Sequence, residues 1–376
     1  MRFTQRTFPT ATHFRLLYVL SLLRVLCVSA VILLPRITFA EKLVFLGDSI
    51  TDGHTYPQLI AQALKEAKRE VPTIINAGIG GDTAAGMLKR LERDVFIHEP
   101  TTMTLSAGIN DSGRVSPADF ERDVTAIADR VTHHGIKLII LTTSIQGKGR
   151  EKNSARALEY DAILKKIAAD HHAPVADVKS LMTAARDKGE SLLEEDQVHP
   201  NFAGQSLIAR AVLDALGHPN VPVPKTLEIT LMPGLIADWQ IRPMAEKETI
   251  DPKTIAPDQS WKPLHLPMPE KEPTWWREDE RRRGFALSLD KSIAPARHFV
   301  AITTITSEEP RRAYLNTGAQ LESIWLNGKQ IYLNKEWTGW HAGKERVAVE
   351  LPAGESRIVI QTGDAFFLSI TDGNQW

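Results

Sequence analysis

Four short polar blocks between Gly47 and Pro200 hold the residue types that acyl transfer by a hydroxyl nucleophile requires. They are Gly47-Asp48-Ser49-Ile50-Thr51-Asp52-Gly53, Asn76-Ala77-Gly78-Ile79-Gly80-Gly81-Asp82-Thr83, Gly108-Ile109-Asn110-Asp111 and Asp196-Gln197-Val198-His199-Pro200. A serine hydroxyl attacks a carbonyl only when a neighbouring base takes its proton. Ser49 is the candidate nucleophile and His199 the candidate base. Asp196, three residues before the histidine, is placed to fix its tautomer and to stabilise the imidazolium. The negative charge that develops on the carbonyl oxygen needs donors aimed at it. The backbone N–H groups of Ser49 and Gly81 and the side-chain amide of Asn110 would supply three, and glycine at 81 lets the backbone come close to a substrate.

Each block has a plainer reading when taken alone. A Gly-Asp-Ser triplet caps helices, Asn110-Asp111 suits a turn, and Asp196 with His199 suits a surface ion pair. Asp52 and Asp111 read as capping or turn residues beside the site. The chemistry rests on the four blocks in combination, and on the elements that carry them.

Those elements alternate. KLVFLG (42–47), PTIINAG (72–78), TMTLSAG (102–108), IKLIILTTS (136–144) and APVADV (173–178) read as strands, with amphipathic helical stretches such as 56–68, 156–171 and 203–216 between them. Apolar strand runs separated by helices predict a parallel sheet covered on both faces. In such sheets ligands bind beyond the carboxyl ends of the strands. The first three blocks fall at those ends, and the fourth lies in the loop before the last helix.

Beyond Gly217 the composition changes. Eleven of the 22 prolines lie between Pro219 and Pro273, and all eight tryptophans lie at or after Trp239. Proline-rich chain cannot sustain the helical alternation. FALSLD, HFVAITTIT, SIWLNGKQIYLN, RVAVEL, SRIVIQT and FFLSIT then read as short strands. Asn327-Gly328 marks a hairpin turn, and Pro352-Ala353-Gly354 marks a second turn. The expectation is an antiparallel β-sandwich. TLEITL (226–231) and IADWQI (236–241) are further candidate strands, so 221–376 is assigned to this second domain and 41–220 to the first.

Residues 1–40 contain five arginines and no acid. An apolar run from Val25 to Leu34 precedes Thr38-Phe39-Ala40, the order of a secretory signal peptide. Arg24 leaves the apolar stretch short of the ~20 residues of a spanning helix, so cleavage is expected, with an uncleaved anchor as the alternative. Export to the periplasm or the exterior follows. Removal of 1–40 leaves 40 basic and 46 acidic residues, a net charge of −6, and takes away Cys27, the single cysteine. Disulfides and cysteine-based metal sites are thereby excluded from the mature chain. The whole chain carries a net charge of −1 and no basic stripe, which gives no reason to expect a nucleic-acid partner. His98-Glu99, His133-His134 and His171-His172 lack partners at ligand spacing, so no metal or organic cofactor is expected.

The four blocks resemble those of the SGNH (GDSL) hydrolase family, which contribute Ser, Gly, Asn and His in that order. The resemblance covers about 41–217 and implies a flavodoxin-like three-layer α/β/α fold. It also implies Ser49 as nucleophile, Asp196 and His199 as its triad partners, and Gly81 and Asn110 as oxyanion donors. The Gly-x-Ser-x-Gly signature of α/β-hydrolases is absent from the chain. Trp325-Leu326-Asn327-Gly328-Lys329 and Trp337-Thr338-Gly339-Trp340-His341 are similar to accessory galactose-binding-like β-sandwiches on exported hydrolases. Such tryptophans serve either as a sugar platform or as packing in the core and between domains.

The expected protein is an exported serine esterase removing short acyl groups, acetyl above all, from carbohydrate. A lysophospholipase or thioesterase for longer acyl chains is the alternative, and a non-catalytic glycan-binding protein a third reading. Membrane contact is expected only through the N-terminal segment, if it is retained. N-terminal sequencing of the native protein should begin at Glu41; a start at Met1 would exclude cleavage.

Overall fold

The computed structural model describes residues 41–376 apart from 54, 335–339, 341–344 and 374–376. The leader and Trp337 therefore lie outside the described residues. Five parallel strands, β1 (Lys42–Gly47), β2 (Thr73–Gly78), β3 (Thr102–Ser106), β4 (Lys137–Leu141) and β5 (Val175–Ala176), form a sheet in the order β2-β1-β3-β4-β5. This is the flavodoxin-like order, whose switch point lies between β1 and β3.

The strand sequences are apolar on both faces because both faces are covered. Leu43, Phe45, Ile139 and Leu141 pack on one side with helices Thr55–Glu66, Val178–Asp187 and Phe202–Ala215. Val44, Leu46, Met103, Leu105, Leu138 and Ile140 pack on the other with helices Ala84–Lys89, Pro117–His133 and Glu151–Asp170. The result is a three-layer α/β/α unit.

The C-terminal unit is an antiparallel sheet of seven strands. They are β6 (Asp238–Pro243), β7 (Lys262–His265), β8 (Phe299–Ser307), β9 (Arg311–Leu326), β10 (Lys329–Leu333), β11 (Glu345–Leu351) and β12 (Gly354–Thr371). The order is β10-β9-β12-β8-β6-β7, with β11 also on β9. Both halves of β9 and of β12 supply one core: Ala313, Leu315, Leu321 and Ile324 meet Ile358, Ile360, Phe366 and Leu368. The two long strands thus carry the sheet over its own core, and the sandwich is one continuous sheet.

Asn327 and Gly328 turn the β9–β10 hairpin with φ of 50° and 78°, the left-handed pair that a two-residue turn demands. Three expectations are corrected. FALSLD is no strand: Ala286 makes an isolated bridge to Phe366, and Leu289–Ser292 is a helical turn. Apolar Phe285 and Leu287 are buried against Ala319, Ala365 and Phe367 of the long strands, and Leu289 joins the core of the sheet, without forming a ladder. TLEITL joins no sheet, while IADWQI contributes β6. SRIVIQT and FFLSIT are one 18-residue strand whose register shifts around Thr362–Phe366; the Gly363-Asp364 irregularity looks like a break in sequence.

The ends of β1 and β2 are held by one buried cation. Arg90 donates to Gly47 O at 2.9 Å and Ala77 O at 2.6 Å, and pairs with Asp82 at 2.7 Å and Asp94 at 2.9 Å. Removing one partner of a buried ionic network leaves uncompensated charge, at a cost of about 3–5 kcal/mol. Arg90→Leu should therefore lower unfolding free energy by about that amount in urea titrations followed by circular dichroism.

Candidate active site

The first block is built by a change of backbone at the end of β1. Asp48 takes the extended conformation and its Oδ1 accepts the Ile50 N–H at 3.0 Å, starting the helical turn Ser49–Asp52. The cap is therefore Asp48, which leaves the neighbouring serine hydroxyl for other work. Ser49 Oγ lies 2.8 Å from His199 Nε2, and His199 Nδ1 lies 2.5 Å from Asp196 Oδ2. An ionised carboxylate only accepts, so His199 carries its proton on Nδ1 and offers a bare Nε2 to the Ser49 O–H.

The loop carrying the acid and the imidazole is locally determined. Asp196 Oδ1 accepts the N–H groups of Val198 at 2.9 Å and His199 at 3.0 Å. Leu193 bridges Pro200, and the Asn201 side chain caps the following helix at the Gly204 N–H. Burial works to raise the Asp196 pKa, but the hydrogen bonds from the His199 ring and the two amides outweigh it and hold it below the usual range.

The second and third blocks are tied to the first by buried carboxylates. Asp48 Oδ2 receives Asn110 Nδ2 at 3.4 Å. Burial pushes the Asp48 pKa up to about 6 against the lowering effect of the Ile50 amide and of His199. Asp52 Oδ2 accepts the Gly80 N–H at 3.1 Å. Gly81, next in the loop, has φ of 80°, a conformation that strains any other residue type. Its carbonyl is held by Arg114 at 2.9 Å. Asp111 joins the third block to the helix after the second, accepting from Gly108 N at 3.1 Å and Ala84 N at 3.0 Å. Gly78 permits a close approach of two backbones: a Cβ there would lie 2.2 Å from Asp52 N.

A parallel sheet with hydroxyl, imidazole and carboxylate in line beyond its strand ends is the arrangement of a serine hydrolase. Residues 45–207 match the GDSL-like Lipase/Acylhydrolase family, and the α/β unit is a GDSL hydrolase domain. The protein is a serine ester hydrolase.

An acetylxylan esterase of Geobacillus stearothermophilus is 28% identical over 211 residues, 48% of this chain and 96% of that protein. Thioesterase 1/protease 1/lysophospholipase L1 of Escherichia coli K12 is 27% identical over 183 residues, 48% of this chain and 85% of its own. Among solved structures, LAE5, an alpha/beta hydrolase enzyme from the metagenome of Lake Arreo, Spain, is 28% identical. It covers 48% of this chain and 98% of its own, with a TM-score of 0.44.

Sequence reasoning missed part of the wall of the cavity that Ser49 lines. A cavity of about 230 Å³ is lined by Ser49, Asp52, Gly80 and His199 together with Trp276, Glu280 and Trp340. Trp276 and Glu280 lie on helix Trp275–Arg283, whose seven consecutive charged residues read as solvated chain. A capping signal was present: Gly284, with φ of 104°, ends this helix in the left-handed conformation. The Arg277 guanidinium lies 4.3 Å from the Trp276 ring centre and 4.0 Å from that of Trp340. The Trp340 N–H donates to Asp52 Oδ1 at 3.0 Å, and Arg283 donates to Gln58. Trp239 and Trp261, by contrast, are buried in the antiparallel unit.

Among the described residues no three His, Cys, Asp or Glu side chains converge as metal ligands. No helix among them is long and apolar enough to cross a membrane.

Glu280 is almost fully buried, and its pKa is pushed up to about 8. Burial is the main cause, Arg277 and Arg283 oppose it, and Asp52 and Asp279 add to it. The native state then keeps a proton that the unfolded chain releases near 4.5. Between those values the native state binds more protons, so stability falls as pH rises. Glu280→Gln removes that loss. Its melting temperature relative to wild type should rise by at least about 2 °C between pH 5 and pH 8, the equivalent of roughly 1 kcal/mol in a chain of this size. Calorimetry at the two pH values measures it.

Proposed function

We propose that the protein hydrolyses short acyl esters, acetyl esters of carbohydrate in particular, through an acyl-Ser49 intermediate. The observation that carries this reading is the continuous hydrogen-bonded line Ser49–His199–Asp196. Ser49 Oγ attacks the ester carbonyl as its proton passes to His199 Nε2, and Asp196 stabilises the imidazolium. The N–H groups of Ser49 and Gly81 and the Asn110 amide receive the oxyanion. Neither the Ser49 nor the Gly81 amide has an acceptor among the described residues. Collapse of the tetrahedral intermediate breaks the bond to the alkoxy oxygen, which takes the proton from His199 and leaves as alcohol. Water, activated by His199, then attacks the acyl-Ser49 carbonyl and releases the carboxylic acid.

The acyl-length assignment is supported by the size of the cavity. About 230 Å³ is below the roughly 300–1,000 Å³ of sites that enclose drug-sized ligands. The acetylxylan esterase relative supports a carbohydrate ester. The thioesterase and lysophospholipase relative keeps longer chains as the competing reading. Export belongs to the same proposal and rests on the leader sequence.

Rates on p-nitrophenyl esters from acetate to palmitate separate the two. Acetate should be turned over fastest, with a decline beyond butyrate; a maximum at long chains transfers the assignment to lipid or thioester substrates. Ser49→Ala should lower kcat at least about 10⁴-fold, and Asp196→Asn about 10⁴-fold through loss of the productive tautomer. Undiminished turnover in Ser49→Ala would remove the mechanism.

A further inference from the structure

Asp52 and Glu280 are the acids that line the cavity; the Gly80 and Trp340 N–H groups take up the oxygens of Asp52, and the mechanism leaves Glu280 unused. Its side chain is 3% exposed, and neither carboxyl oxygen has a hydrogen-bond partner among the described residues. The nearest cation, Arg277 Nη1, is 3.7 Å away, beyond hydrogen-bond reach. A buried polar group without a partner is costly and requires an explanation. Here the group lines the same cavity as Ser49 and His199.

We infer that Glu280, between Trp276 and Trp340, is the subsite that binds a hydroxyl of the substrate's sugar alcohol. This inference rests on the carbohydrate-ester reading and assigns the leaving-group side of the cavity to the antiparallel unit. A hydroxyl placed against Glu280 satisfies the carboxyl, whereas an apolar acyl chain there would leave it unpaired. The raised pKa keeps the group protonated at neutral pH, so it both donates to and accepts from a hydroxyl. The two indoles offer apolar surface to a sugar ring, and their positions are fixed by the Arg277 guanidinium beside both. The subsite is also anchored to the hydrolase unit, through Trp340 N–H on Asp52 and Arg283 on Gln58. A site built to hydrogen-bond a substrate hydroxyl discriminates strongly against substrates that lack one.

The test compares kcat/KM on acetylated xylobiose with kcat/KM on p-nitrophenyl acetate, whose leaving group has no further hydroxyl. In Glu280→Leu the ratio of the two should fall at least about 10-fold, mainly through KM for the sugar ester. Glu280→Gln, which keeps a donor and an acceptor, should hold the ratio within about 3-fold. Trp340→Ala should shift the ratio in the same direction as Glu280→Leu, and it decides the matter if the leucine variant does not fold. An unchanged ratio, or an equal loss on both substrates, overturns the subsite while leaving the carbohydrate reading in place. Wild-type enzyme active on p-nitrophenyl acetate but inert on acetylated xylobiose overturns the carbohydrate reading and the subsite together.

Discussion

Asp52 is the joint on which the site depends. It lies three residues after Ser49, in the helical turn that begins where β1 ends. One of its oxygens holds the Gly80 N–H and so the loop that presents Gly81. The other holds the Trp340 N–H, 288 residues away. A carboxylate is suited to this because it accepts several hydrogen bonds at once and donates none. Serine, glycine loop and tryptophan wall are thereby referred to a single side chain. The fit is close: Gly78 is bare because Asp52 backbone occupies the space a Cβ would need.

Asp48, Asp111 and Arg90 extend the same principle. Each is buried, and each ties a strand end to a loop that the parallel sheet alone would leave free. Placing charge in this position is unfavourable, as the raised pKa values of Asp48 and Asp111 reflect. The gain is a rigid framework, since a hydroxyl nucleophile and its donors act only when held near their working geometry.

The antiparallel unit is more than a passenger on this framework. Helix Trp275–Arg283 turns Trp276, Glu280 and Arg283 toward the hydrolase unit, at the spacing of one helical face. It supplies part of the wall of the cavity that Ser49 lines and brings with it a carboxyl that no hydrogen bond within the described residues satisfies. Unpaired buried groups lower stability, and they are tolerated at sites where a ligand completes them.

Much of this was written locally in the chain. The five apolar runs became a parallel sheet because strands covered on both faces have no polar side to alternate. Asn327-Gly328 specified its hairpin through backbone conformation alone. Asp196, two residues from Val198 and three from His199, can shape its own loop. What sequence could not state was which distant segments would meet. β12 passes through a bulge that locally resembles a loop. The charged run at 277–283 has the composition of solvated chain and is packed against the cavity only because the second sheet delivers it there. The Trp340 N–H on Asp52 comes from 288 residues away, and Glu280 shares its cavity with Ser49 and His199 of the first domain. Periodicity reports whether a segment has a buried face, and turn residues report where the chain bends. Only the tertiary structure decides what that face is buried against.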